Sequence, residues 1–267
     1  MEVQMKLLVY TCVIGGYDRV YPPIVQSAEA DYVIVTDDPD VNVQGWTTYT
    51  IDPAGFGSPS LANRYHKMLM HHVLPDYDVS VYVDGNIRLL GNMIEFVARN
   101  HSCKNALTVF RHDRRNSVQS EIETCEALGK LPDSSLARAR LNHFLEEGFP
   151  DDLGLIEAGI LIKEHRHAQT DRVMSAWWAE YAAAPTRDQL SLPYALWKSK
   201  AIIGYHDFSF RDPNLWFGIY PHRGTSDMTP AYADLCARAY DSPLHRLALR
   251  AWNAVRTVRR KMRALRA

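Results

Sequence analysis

Long apolar runs are missing from this chain: none approaches the roughly 18 residues that a membrane-crossing helix needs. Nor does any stretch have the make-up of a secretory leader; Met1-Glu2-Val3-Gln4-Met5-Lys6 leads straight into an apolar segment. The expected compartment is a bacterial cytoplasm. Cysteine is scarce. Cys12, Cys103, Cys125 and Cys236 are far apart, with no CxxC pair and no histidine spacing suited to zinc, so they are read as reduced, structural thiols. The first predicted strand is not followed by a glycine-rich loop with a basic residue, there is no Ser-His-Asp elbow, and no repeat or low-complexity tract occurs. An overall basic excess is absent too. The chain carries a net −1, but residues 244–267 hold eight Lys or Arg and no acid, which leaves −9 on the other 243 residues. So acidic a body lacks the basic face that a nucleic-acid backbone requires.

What is present is enough for one large α/β domain: 267 residues, 46% of them hydrophobic. The organising stretch is Val79–Leu89 (VSVYVDGNIRL). An apolar, β-branched and aromatic run with little alternation reads as a strand covered on both faces of a parallel sheet. It stops at Asp84-Gly85-Asn86, and open α/β sheets bind ligands at the carboxyl ends of such strands. Two side-chain oxygens flanking a glycine suit a hard divalent cation, which leaves positions for phosphate and water.

Other elements alternate around this one. Strands are predicted at Lys6–Ile14, Asp31–Thr36, Trp46–Ile51, Ala106–Phe110, Leu155–Lys163 and Ala201–Phe210. Helices are predicted at Ser60–Leu74 with Ser60 as N-cap, from Ile94 to Ala98, at Ser117–Leu128, Asp171–Ala184, and from Arg187 to about Trp197; residues 129–150 read as helical and polar. Arg64 and Lys67, three apart on one helix face, are expected to pair with phosphate, Arg bidentately. Arg111-His112-Asp113-Arg114-Arg115 follows an apolar strand, and His112 and Arg115 are expected to contact a bound ligand at that strand's carboxyl end, with Glu121 orienting them or exposed on its helix. Trp177, Trp178 and Trp197 sit among apolar neighbours at helical spacing and are read as core.

The ordered set YTCVIGGYD, DYVIVTDDP, NRYHKMLMHHVLPDYDVSVYVDGNIRL, RHDRRNSVQSE, GLIEAGILIKEH and RDQLSLPYALWK, within residues 8–198, resembles a GT-A type glycosyltransferase-like family. Its plant members act in the Golgi on cell-wall and mucilage polysaccharides. The resemblance implies a Rossmann-like, mainly parallel mixed sheet with flanking helices. Residues 1–243 would form one catalytic domain, with a nucleotide-binding half to about 100 and an acceptor half over 101–243. Asp84-Gly85-Asn86 takes the place of the usual DxD metal motif and would hold Mn²⁺ or Mg²⁺, with a neutral amide where the second acid usually stands.

The resemblance further implies base and ribose contacts at Thr11, Tyr17 and Asp37. A late histidine, His222 or His206, would complete the metal shell. Asp188 and Glu157 are the catalytic candidates, and Glu157 and Gln189 the contacts to sugar or acceptor; the Asp188-Gln189 pair leans toward a retaining reaction. The implied function is transfer from a nucleoside diphosphate sugar, most simply a UDP-sugar, to a glycan or glycolipid acceptor such as capsule or lipopolysaccharide. A sugar-nucleotide pyrophosphorylase and a non-catalytic carbohydrate-binding module are the alternatives. Residues 244–267 form a predicted basic amphipathic helix, fit either to lie on an anionic membrane or to pack on the body.

Overall fold

The computed structural model describes residues 5–131, 133–212, 214–220, 222–223, 232, 235, 238–239 and 242–264, with the side chains of the final helix described as far as Val255. Nine strands appear among them: β1 (Leu7–Val13), β2 (Ala30–Thr36), β3 (Thr47–Thr50), β4 (Val79–Val83), β5 (Ile87–Leu89), β6 (Leu107–Arg111), β7 (Ile156–Glu164), β8 (Ile203–Tyr205) and β9 (Phe217–Ile219). Seven form one sheet in the order β3-β2-β1-β4-β7-β6-β8, while β5 and β9 make a separate antiparallel pair. Every residue of β1 and β4 is buried, as expected where helices cover both faces. This is the anticipated α/β architecture with a mainly parallel sheet.

The helices are α1 (Pro59–Val73), α2 (Met93–Asn100), α3 (Val118–Ala127), α4 (Ser135–Glu146), α5 (Thr170–Ala183), α6 (Asp188–Ser199) and α7 (Pro243–Ala264). Three details differ from the sequence reading. The α1 N-cap is Ser58, not Ser60: its side chain accepts from the Leu61 amide, with Pro59 pre-set in the first turn. β4 ends at the Asp84–Asn86 turn as expected, but the residues after it form an unanticipated short strand, β5, which leaves for the second sheet. The late strand shrinks to Ile203–Tyr205, and His206 to Phe210 instead fold an aromatic cluster against Phe96 and Phe110.

One reversal matters most for the site. β7 runs antiparallel to both neighbours, β4 and β6. Its first residues therefore lie at the edge where β4 and β6 end, and Glu157 pairs with Phe110 while the Asp84 amide donates to the Gly159 carbonyl at 2.8 Å. The ladder between β6 and β7 shifts register between Val109 and Phe110, a bulge of the kind found beside sites.

Trp177 is wholly buried in the main core with Tyr10, Tyr82 and Tyr181, as its helical spacing suggested. Cys12 and Cys125 are buried free thiols and Cys103 is an exposed one; Cys236 lies outside the described residues. Among those residues no helix is long and apolar enough to cross a membrane.

Candidate active site

The carboxyl ends of β1 and β4, the start of β7 and the first halves of α1 and α6 surround a cavity of about 760 Å³. Six basic and four acidic side chains line it. Its floor is a charge network. Lys67 is 2% exposed and its Nζ lies 2.6 Å from Asp188 Oδ2 and 3.5 Å from Asp84 Oδ1, while Arg64 Nε lies 3.1 Å from the same Asp188 oxygen. The three-residue spacing on α1 thus aims both cations at one carboxylate. Burial alone would raise the Asp188 pKa, but Arg64 and Lys67 outweigh it and hold the group well below the usual carboxylate range. The Asp188 carbonyl accepts from Trp177 Nε1 at 2.8 Å, which fixes the start of α6.

Lys67 is itself positioned from below. α1 is non-helical at Leu69 (φ −106°, ψ 23°), and beneath this kink Tyr10 Oη donates to the Lys67 carbonyl at 2.6 Å. Lys163 Nζ reaches the same carbonyl at 3.0 Å. Side chains that insert beside a helix's own ladder are a physical cause of such kinks. Lys163 is fully enclosed, and burial pushes its pKa down to about 7.

Asp84 accepts from Tyr82 Oη at 2.8 Å through Oδ1. Its Oδ2 would sit 3.0 Å from any Cβ at Gly159, so the glycine leaves room for the carboxylate. Gly85 is equally constrained: a Cβ there would meet Val13 Cγ2 at 2.6 Å and Asp18 Cβ at 3.0 Å. Asn86 is buried. Its Nδ2 donates to the Tyr220 carbonyl at 2.7 Å, and the Tyr220 amide donates back to the Asn86 carbonyl at 2.8 Å. A carboxylate could not make the first of these bonds, which gives a structural reason for the amide where an acid usually stands.

This tether carries the chain to His222, whose Nδ1 lies 3.0 Å from Asp18 Oδ1. Asp18 is buried, and its hydrogen bond raises the His222 pKa although burial opposes the charged ring. A carboxylate on Nδ1 makes Nε2 the basic nitrogen, the arrangement found behind metal-ligating histidines. The donor set at this end, a carboxylate, an amide oxygen and an imidazole, suits Mn²⁺ or Mg²⁺.

Of the residues singled out in the sequence, Tyr17, Arg64, Lys67, Asp84, Gly85, Asn86, Glu157, Asp188, Gln189 and His222 all line the cavity. Others do not. Thr11 is buried inside β1 and paired with Ile34. Asp37 accepts from the Gly15 amide at 2.9 Å and so shapes the loop after β1. His112 and Arg115 stand behind Glu157: Arg115 donates toward His112 and ion-pairs with the buried Glu121, and His112 Nε2 is 3.9 Å from Glu157. His206 is enclosed in the aromatic cluster, away from the cavity lining, and burial lowers its pKa to about 3.

The sequence reading did not pick out Asp18, Arg187, Arg211 or Arg223 as site residues, yet all four line the cavity. Arg211 grips Glu157, its Nε lying 2.8 and 2.7 Å from the two carboxylate oxygens. Asp18 closes the glycine turn after β1, and Arg187 and Arg223 adjoin Asp188 and His222, which were the available signals; for Arg211 there was none, since its place depends on the distant contact to Glu157.

The model of the TOD1/MUCI70 glycosyltransferase-like domain matches residues 27–212, a span that stops short of Asp18, Tyr220 and His222. No curated protein sequence matches the chain. Among solved structures, the bifunctional glycosyltransferase WbbM is similar over 77% of this chain at 10% identity and a TM-score of 0.44. The chain spans only 39% of that protein. Mouse xyloside xylosyltransferase 1 is similar over 77% of this chain and 85% of its own, at 10% identity and a TM-score of 0.45.

Proposed function

The chain belongs to the TOD1/MUCI70 glycosyltransferase-like family, and from that footing we propose that it transfers a sugar from a nucleoside diphosphate sugar, UDP-linked in the simplest case, to a surface-glycan acceptor. The observation that carries this reading is the convergence of Arg64, Lys67, Asp84 and Asp188 on one cavity. Its size fits a sugar nucleotide, since ligand sites commonly enclose about 300–1,000 Å³.

In this reading Asp84, Asn86 and His222 hold Mn²⁺ or Mg²⁺, which when bound neutralises the departing diphosphate. Asp18 orients His222, and Arg64 and Lys67 supply further positive charge to the phosphates. Tyr17 is largely exposed beside His222, with ring centroids 5.5 Å apart, and in this reading it stacks on the nucleoside. Asp188 is held so firmly ionised that it is a weak proton acceptor. That favours a carboxylate stabilising positive charge on the reacting sugar over one deprotonating the acceptor, and hence retention of configuration. Glu157, locked by Arg211, anchors the acceptor side with Gln189.

The tail fits a peripheral place on the cytoplasmic face of an anionic membrane. Leu244, Leu247, Trp252 and Val255 of α7 are exposed in a segment carrying Arg246 and Arg250, and each basic residue near such a surface adds roughly 1 kcal/mol. Capsule and lipopolysaccharide precursors are acceptors of matching location.

A thermal-shift panel of nucleoside diphosphate sugars with and without Mn²⁺ tests the donor directly. One donor should raise the melting temperature through linkage, with Mn²⁺ adding to the shift, and Asp84→Ala should abolish turnover. Full activity in Asp84→Ala overturns the proposal, a flat panel points to a binding module, and pyrophosphate release from a nucleoside triphosphate points to a pyrophosphorylase.

A further inference from the structure

A second cluster of ligating side chains lies where α1 ends and α5 begins, one helical turn beyond Lys67. His72 Nε2 is 2.5 Å from Asp171 Oδ1, and His71 Nε2 is 3.6 Å from the same oxygen. The three ligand atoms all lie within 4.8 Å of one another. Bonds of about 2.0 Å in tetrahedral array separate ligands by roughly 3.3 Å, a spacing that the two measured distances bracket.

His71 adds an independent observation. Its side chain is only 5% exposed, and neither ring nitrogen has a hydrogen-bond partner among the described residues. Two unsatisfied nitrogens on a buried ring are costly. A cation seated between the two histidines and Asp171 would satisfy Nε2.

We propose that His71, His72 and Asp171 form a binding site for a borderline divalent cation of the Zn²⁺ class, clamping the end of α1 to the start of α5. Two imidazoles and one carboxylate select Zn²⁺ over Mg²⁺, in contrast to the oxygen-rich end of the cavity. His72 and Asp171 are open to solvent, with side chains 46% and 65% exposed, so metal has an entry path and water takes the fourth position. Occupancy stiffens α1, the helix that delivers Arg64 and Lys67 to the cavity, without touching substrate.

Titration of the metal-stripped full chain with Co²⁺, followed by visible absorption and then by Zn²⁺ competition, tests the site. One equivalent should give the intense bands of four-coordinate cobalt, displaced by Zn²⁺ but not by Mg²⁺. The signal should persist in Asp84→Ala, and affinity should fall roughly tenfold or more in His72→Ala and in Asp171→Asn. Both substitutions are at exposed positions, so the chain should still fold, and metal-free melting curves check that. No such bands in the wild type, their survival at full affinity in either variant, or their loss in Asp84→Ala would each overturn the proposal.

Discussion

One ammonium group, that of Lys67, stands between two acids: Asp188 at 2.6 Å and Asp84 at 3.5 Å. Because Lys67 and Asp188 are both enclosed, their pair is barely screened, whereas Asp84, its side chain 35% exposed, is partly screened by solvent. Lys67→Met should therefore leave the two carboxylates facing each other with Arg64 as the remaining cation. A loss of roughly 3 kcal/mol in denaturant unfolding is expected, together with loss of donor binding in calorimetry. An unchanged midpoint would show that the pairing contributes nothing to the fold.

Asn86→Asp restores the more usual acid-x-acid pattern, yet it should weaken the protein. The new carboxylate would face the Tyr220 carbonyl in place of the amide that now donates to it. About 1–3 kcal/mol of stability should go, and the half-saturating Mn²⁺ concentration should not improve in proportion to the added charge. A variant as stable as the wild type with tighter Mn²⁺ binding would contradict this.

Gly85→Ala forces a methyl to within 2.6 Å of Val13 and 3.0 Å of Asp18. Overpacking of this kind costs about 1–3 kcal/mol. Displacing Asp18 also disturbs the hydrogen bond that orients His222, so donor affinity should drop further than global stability alone accounts for. Parallel melting and binding measurements separate the two effects.

His206 gives a pH prediction. Burial between Phe96 and Phe110 keeps its ring neutral, with a folded pKa of about 3 against roughly 6.5 in an unfolded chain. The unfolded state thus binds the extra proton first: stability is whole above about pH 6.5 and declines as pH falls toward 3. At pH 5 the expected penalty is on the order of 1 to 2 kcal/mol. His206→Phe should flatten the melting-temperature profile between pH 7 and pH 5; an equally steep profile would place the acid sensitivity elsewhere.

The legible part of the site was the part written locally. Asp84-Gly85-Asn86 ends an unmistakable buried run, and Arg64 and Lys67 share a helix face by spacing alone. The reversal of β7 was not legible, because LIEAGILIK looks the same running either way when both faces are covered. Yet that reversal is what brings Glu157 to the working edge. His112 and Arg115 misled for a related reason: a dense polar run at a strand's end announces charge, but not which way it points, and Glu121 turns it inward. Asp18 and Arg211 depend on partners about 50 to 200 residues away, and no local pattern encodes such contacts.

The bonds from Asn86 to Tyr220 span 134 positions of sequence, which sets an order of events during translation. As the chain leaves the ribosome, all seven strands of the main sheet and the Asp188 cations are complete before the segment bearing Tyr220 and His222 has been made. A nascent or prematurely terminated chain ending near residue 212 would own the basic floor without its opposite wall.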